Sequence, residues 1–174
     1  MALVVLLRGV NVGGHRTFRP VGLARELADL DVVNIGAAGT FVIRQQVTQA
    51  RVRAELTRRL PFATRIVICP GRDILRLMSQ NHFADQPERP DVVRFISVLS
   101  RNPDSAPSTP VSFPASGKWF LKVLARENRF VFGVYRREMK AIGYLNDIDR
   151  LFGVPATTRN WNTITAIAKA LGNG

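Results

Sequence analysis

Leu3-Val4-Val5-Leu6-Leu7-Arg8-Gly9-Val10-Asn11-Val12-Gly13-Gly14-His15-Arg16 begins as an unbroken apolar run, stops at an arginine and passes into a loop with glycines at positions 9, 13 and 14. An apolar run without alternation is the pattern of an interior strand covered on both faces. Past the loop, Pro20 suits the first position of a helix, where its missing amide hydrogen costs nothing. Leu23, Leu27 and Leu30 then fall on one face at helical spacing. Val32-Val33-Asn34-Ile35 and Phe41-Val42-Ile43 read as two short strands joined by Gly36-Ala37-Ala38-Gly39, where small residues point to a tight turn or a close backbone approach. Thr48 is placed to cap a second helix carrying Val52, Leu56 and Leu60, which Pro61 ends; Arg65 to Cys69 is a fourth strand.

This order, β-α-β-β-α-β through Cys69, is that of a ferredoxin-like split βαβ unit, in which helices cover one face of an antiparallel sheet. A short helix follows, with Ile74, Leu77 and Met78 inward. Two prolines and few apolar residues mark 81–90 as a linker. A second strand rich in apolar residues, Val92 to Leu99, precedes a Pro- and Ser-rich loop from Arg101 to Pro114. Trp119 to Ala125 and Phe130 to Tyr135 flank Glu127-Asn128-Arg129 as a hairpin. Leu145, Ile148, Leu151 and Phe152 form one helix face closed by Gly153, and Trp161, Ile164, Ala168 and Leu171 line a terminal helix. The expected fold is therefore α+β, with two ferredoxin-like halves and a C-terminal helix: 1–80, a linker at 81–90, and 91–174.

Charge carries most of the functional information in the composition. The chain has 25 Lys and Arg against 13 Asp and Glu, a net charge of +12. Up to Pro90 there are 13 basic against 7 acidic residues, and after it 12 against 6. An excess spread evenly and interleaved with apolar residues belongs to folded positive surfaces and not to a basic tail. Such surfaces favour nucleic acid or small phosphate and carboxylate ligands. The competing explanation is coding bias, since arginine outnumbers lysine 21 to 4.

The lone Cys69 forms no intrachain disulfide and suits a small core position. The N-terminus lacks the basic region of a signal peptide. No run approaches the ~20 apolar residues of a membrane span. A cytoplasmic protein without membrane partners is the expectation. His15 and His82 are the only histidines, and with no acid at ligand spacing neither a metal site nor a cofactor is expected.

Two stretches concentrate anion-holding chemistry. In the first, Arg8, Asn11, Gly13 and Gly14 surround a strand end. It is either a ligand loop or a broad turn whose glycines supply positive φ; the Walker A and dinucleotide patterns are both missing. In the second, Thr157-Thr158-Arg159-Asn160-Trp161-Asn162-Thr163, the terminal helix is expected to start, with Thr158 as cap and Trp161 as apolar anchor. Free amides there together with Arg159, Asn160 and Asn162 suit an anion, or else form a hydrogen-bonded cap. The two stretches are expected to share one polar cleft floored by Trp161. A third constellation is the late hairpin: Trp119, Phe120, Phe130, Phe132 and Tyr135 alternate with Lys118, Lys122, Arg126, Arg129, Arg136 and Arg137. It is either a stacking platform for single-stranded nucleic acid or a core face backed by a wet one.

Leu6-Leu7-Arg8-Gly9-Val10-Asn11-Val12-Gly13-Gly14 and Thr158-Arg159-Asn160-Trp161-Asn162-Thr163 together resemble the signature ends of the bacterial domain of unknown function 1697 family. The resemblance spans essentially the whole chain. It implies a two-part, soluble, cytoplasmic α+β protein of ferredoxin-like character and brings no activity, cofactor or catalytic residue. The chain departs from that family at Ala38-Gly39-Thr40, where a Ser-Gly-Asn turn is usual, and at Met139-Lys140-Ala141, where a Ser-Lys pair is usual. On sequence, three functions stand: an anion-binding protein with nucleic acid as partner, an enzyme on a small phosphorylated or carboxylated substrate, and a protein-interaction module.

Overall fold

The computed structural model describes residues 1–172 apart from Gly13 and His15. The chain forms two compact units, Met1–Gln80 with Asn162–Gly174, and Asn81–Trp161.

In the first unit, β1 (Leu3–Leu7) is buried along its whole length. It lies between β3 (Thr40–Ile43) and β4 (Ile66–Pro70), with β2 (Val32–Ile35) beyond β3, in the order β2-β3-β1-β4. Every pairing is antiparallel, with Val5 opposite both Phe41 and Ile68. Leu3, Val5 and Leu7 point into a core completed by Leu23, Leu27 and Leu30 and by Val52 and Leu56. These come from α1 (Pro20–Glu26), the 3-10 turn after it, and α2 (Gln49–Arg59). Thr48 caps α2, its hydroxyl accepting from the Arg51 amide at 3.2 Å. Val4 and Leu6, on the other side of β1, are equally inaccessible, which is why this strand shows no polar alternation. Cys69 is a fully buried free thiol on β4. The short helix α3 (Gly71–Met78) buries Ile74 and Leu77.

The second unit is an antiparallel sheet in the order β6-β7-β8-β5-β9. Its strands are β5 (Val92–Leu99), β6 (Val111–Phe113), β7 (Leu121–Glu127), β8 (Phe130–Arg136) and β9 (Ala156–Asn160). Helices α4 (Met139–Asn146) and α5 (Ile148–Phe152) supply the cover for one face: Ile148 and Phe152 pack with Phe95, Leu99, Leu121, Val123 and Val131. The last helix, α6 (Trp161–Gly172), buries Ile164, Ile167 and Ala170. Beyond Trp161 it belongs to the first unit, where Arg44 donates to the Ala170 carbonyl at 3.1 Å and satisfies one of its terminal acceptors.

Four sequence expectations change. The second unit does not repeat the β-α-β-β-α-β order, because no helix separates β5 from β6 among the described residues. Strand β6 lies inside the stretch read as an irregular loop; Pro110 and Pro114 flank it, which an edge strand tolerates because it needs only one set of ladder bonds. The single helix read around Leu145 to Phe152 is two, divided at Asp147. Thr157, Thr158, Arg159 and Asn160 form strand and not a helix cap: β-branched residues favour extended backbone, and β5 offers them an edge to pair with. Within residues 81–90, Phe83 is buried beside Phe132 at 6.1 Å between ring centroids, and this stretch falls in the second unit.

Gly39 adopts φ +78°, and a Cβ there would lie 2.7 Å from Val10 Cγ2 and 2.8 Å from Leu7 Cβ. Gly36, in the same turn, has φ +68° with open space around it. Gly36→Ala should therefore cost only the left-handed strain, about 1–2 kcal/mol. Gly39→Ala should add overpacking of about 1–3 kcal/mol. Urea unfolding of the two variants measures the difference, and equal midpoints would show that the close approach is not a constraint.

Candidate functional site

The glycine loop is tied together by Asn11. Its Nδ2 donates to the Ala37 carbonyl at 2.8 Å, its Oδ1 accepts from the Phe18 amide at 3.0 Å, and its own amide donates to the Arg16 carbonyl at 3.2 Å. Asn11 holds φ +54°, a left-handed conformation that asparagine tolerates better than most residues. Both ends of the side-chain amide are thus engaged in joining the loop to the β2–β3 turn and to the entry of α1. Arg8, half-buried at the end of β1, donates its amide to the Arg65 carbonyl at 3.1 Å, and its carbonyl accepts from the Thr64 hydroxyl at 2.5 Å. Gly14 is exposed with φ +76°. Gly13 lies outside the described residues.

The second stretch is extended over its first four residues. The Thr158 hydroxyl lies 2.6 Å from that of Ser97 on β5, so it bonds across the ladder and caps no helix. Thr157 is 2% exposed, and its hydroxyl finds no hydrogen-bond partner among the described residues. Arg159 sits opposite Ile96, is only 9% exposed, and donates Nη1 to the Thr158 carbonyl at 2.9 Å. Loss of hydration pushes its guanidinium down to about 10, so it stays charged at neutral pH. Asn160 is exposed at the end of β9, opposite Phe95. Trp161 opens α6 and meets Phe83 edge-on at 5.0 Å. Asn162 is exposed on the helix. Arg8, Asn11, Gly14 and Asn162 belong to the first unit, and Arg159, Asn160 and Trp161 to the second.

The hairpin divides into its two expected faces, and a smaller cationic cluster remains. Phe130 and Phe132 are core residues, and Tyr135 packs on Phe95 at 5.8 Å. Trp119 and Phe120, just before β7, stay partly accessible. Lys122 Nζ lies 4.5 Å from the Trp119 ring and the Arg136 guanidinium 4.2 Å from it. Arg136 is held in place by donating Nε to the Trp119 carbonyl at 2.7 Å. Lys118 and Lys140 each sit 5.6 Å from the Phe120 ring, which stacks on Tyr144 with 6.2 Å between centroids and 12° between planes. Phe113 completes this group at 6.1 Å from Tyr144. The nearby acids are Glu138, 2.7 Å from Lys118, and Asp91, which faces Arg89 and Arg136. The Arg89 hydrogen bond holds the Asp91 carboxyl below its usual range. Lys140, Phe113 and Tyr144 escaped the sequence reading because tertiary packing alone brings β6 and α4 to the start of β7.

Residues 1–118 match the model of a family described as protein of unknown function, DUF1697. The chain belongs to this family. The glycine loop of this DUF1697 protein lies inside the matched region, whereas the Thr158 to Thr163 stretch lies beyond it. No curated protein matches the sequence. The solved structure of the conserved bacterial protein SP0830 from Streptococcus pneumoniae is 14% identical, with 98% of each chain covered and a TM-score of 0.61. At that identity the likeness shows a shared fold. Among the described residues no helix is long and apolar enough to cross a membrane, and no group of three or more His, Cys, Asp or Glu is placed to hold a metal ion.

Asn11→Ala removes a donor to Ala37, strands the Phe18 amide and loses a residue suited to positive φ. It should lower stability by about 1–3 kcal/mol, read by chemical denaturation. Unchanged stability would mean that the amide is free for another task.

Proposed function

We propose that this protein binds single-stranded nucleic acid through the surface around Trp119. The observation that supports the reading is the pair of cations against one accessible indole: Lys122 at 4.5 Å and Arg136 at 4.2 Å. Stacking on an aromatic face accepts any base and is worth about 1–3 kcal/mol per base. Lys122 and Arg136 lie over that ring, and their charge together with the net charge of +12 favours the encounter with phosphates. We also read the first unit, with order β4-β1-β3-β2, as a ferredoxin-like split βαβ arrangement, and we assign the protein to the cytoplasm, which suits its lone thiol.

The test is a titration of the full chain into a labelled oligothymidylate at low and moderate salt. Affinity should fall steeply with salt, by a log–log slope of about −0.7 per phosphate contacted. Trp119→Ala should weaken binding by about tenfold or more, and Lys122→Gln should reduce the slope by about 0.7. A flat titration at low salt would remove the reading.

A second reading, a small phosphate or carboxylate held in the second unit by Arg159 and Asn160, is favoured by the nine-tenths burial of the Arg159 guanidinium. Phosphate would then raise the melting temperature of the native chain and not that of Arg159→Ala. If Arg159 is structural, the same substitution lowers stability by about 1–3 kcal/mol without any phosphate effect.

A further inference from the structure

Helix α4 presents to solvent a stripe that the fold does not use. Met139 is 82% exposed and Ile142 48%. Gly143 and Asn146, also exposed, complete the i, i+3, i+4, i+7 spacing of one helical face. The opposite side of the helix is occupied, with Ala141 buried and Tyr144 stacked on Phe120. A methyl group added at Gly143 would meet nothing within 4 Å, and its φ is not among the positive ones. Neither packing nor backbone geometry within the protein therefore asks for glycine, although glycine weakens a helix interior relative to alanine. A residue without a side chain next to the exposed Met139 and Ile142 does have one geometric consequence: a second helix laid across it can approach closely, since interaxial distance is set by the side chains at the crossing.

Charge narrows what that second helix is. Glu138 and Asp147, the acids at the two ends of α4, are bridged to Lys118 at 2.7 Å and Arg150 at 3.5 Å. Lys140 rests on the Phe120 ring at 5.6 Å, and Arg137 donates to the Pro90 carbonyl at 2.9 Å, so neither is neutralised by an acid among the described residues. Unbridged positive charge therefore stands at the N-terminal end of the stripe. We propose that this face docks an amphipathic helix of a partner protein whose apolar side is flanked by acidic residues.

The probe is a synthetic amphipathic peptide of about 18 residues, long enough to hold a helix when docked, with leucines along one face and flanking glutamates. Its labelled form is titrated with the full chain and followed by anisotropy. The peptide should bind, Ile142→Glu should weaken it by about tenfold or more, and a version with lysines in place of the glutamates should bind at least tenfold less tightly, on the order of one step of the affinity scale. Gly143→Leu should also weaken binding by blocking close approach, whereas Gly143→Ala should raise the melting temperature. Oligothymidylate affinity should be unchanged in Gly143→Leu, which separates this surface from the one around Trp119. No binding, equal binding of the lysine-flanked peptide, or an unchanged affinity in Ile142→Glu would overturn the proposal. So would concentration-dependent dimerisation of the chain abolished by Ile142→Glu, since the occupant would then be a second copy.

Discussion

The interior strands of both sheets are packed so tightly that a neighbouring residue must do without a side chain. In the first unit Gly39 lies against Leu7 and Val10 and hands its carbonyl to the Leu7 amide at 2.8 Å. In the second, Gly133 on β8 faces the Phe95 ring across the ladder, and a Cβ there would overlap that ring. Each glycine lets a large apolar residue of the interior strand sit directly over its neighbour. In the first unit the same turn reaches the candidate site: past the end of β1 at Leu7, Asn11 bonds to the Ala37 carbonyl, two residues before Gly39, and to the Phe18 amide.

That closure accounts for most of the anion-holding chemistry that the loop displays. The asparagine amide, the left-handed backbone and the arginine amide and carbonyl all have partners inside the protein. Arg159 has a partner as well: its guanidinium, nine-tenths buried, donates to the Thr158 carbonyl at 2.9 Å, which offsets part of the cost of burying a charge. The Thr157 hydroxyl, two residues earlier on the same edge strand, is buried with no hydrogen-bond partner among the described residues. By contrast the cations around Trp119 and Phe120 lean on aromatic faces, two of them, Lys118 and Arg136, bridged to Glu138 and Asp91, and two, Lys122 and Lys140, held by the rings.

Strand β1, the helix begun by Pro20, the Thr48 cap and the β-α-β-β-α-β order through Cys69 were legible in the sequence. Each rests on an interaction between residues close in the chain: an unbroken apolar run, a fixed proline φ, a side chain reaching an amide three residues on. The resemblance to the 1697 family was legible as well, from the glycine loop together with the Thr158 to Thr163 stretch. What escaped the reading depends on partners far away in sequence. Strand β6 exists because β7 offers it a ladder, and Thr157 to Asn160 are extended because β5 has an edge to pair, although the local pattern there suits a helix start equally well. The grouping of Lys118, Lys122, Arg136 and Lys140 around two neighbouring rings is likewise beyond periodicity, since it joins a strand entry, a strand end and a helix. The sequence by itself thus determined which segments are apolar, where the first unit's helices begin and how much positive charge the protein carries. Only the tertiary structure decided which of those charges stand against aromatic faces and which arginine is buried, because burial and cross-strand pairing are properties of contacts that no local spacing encodes.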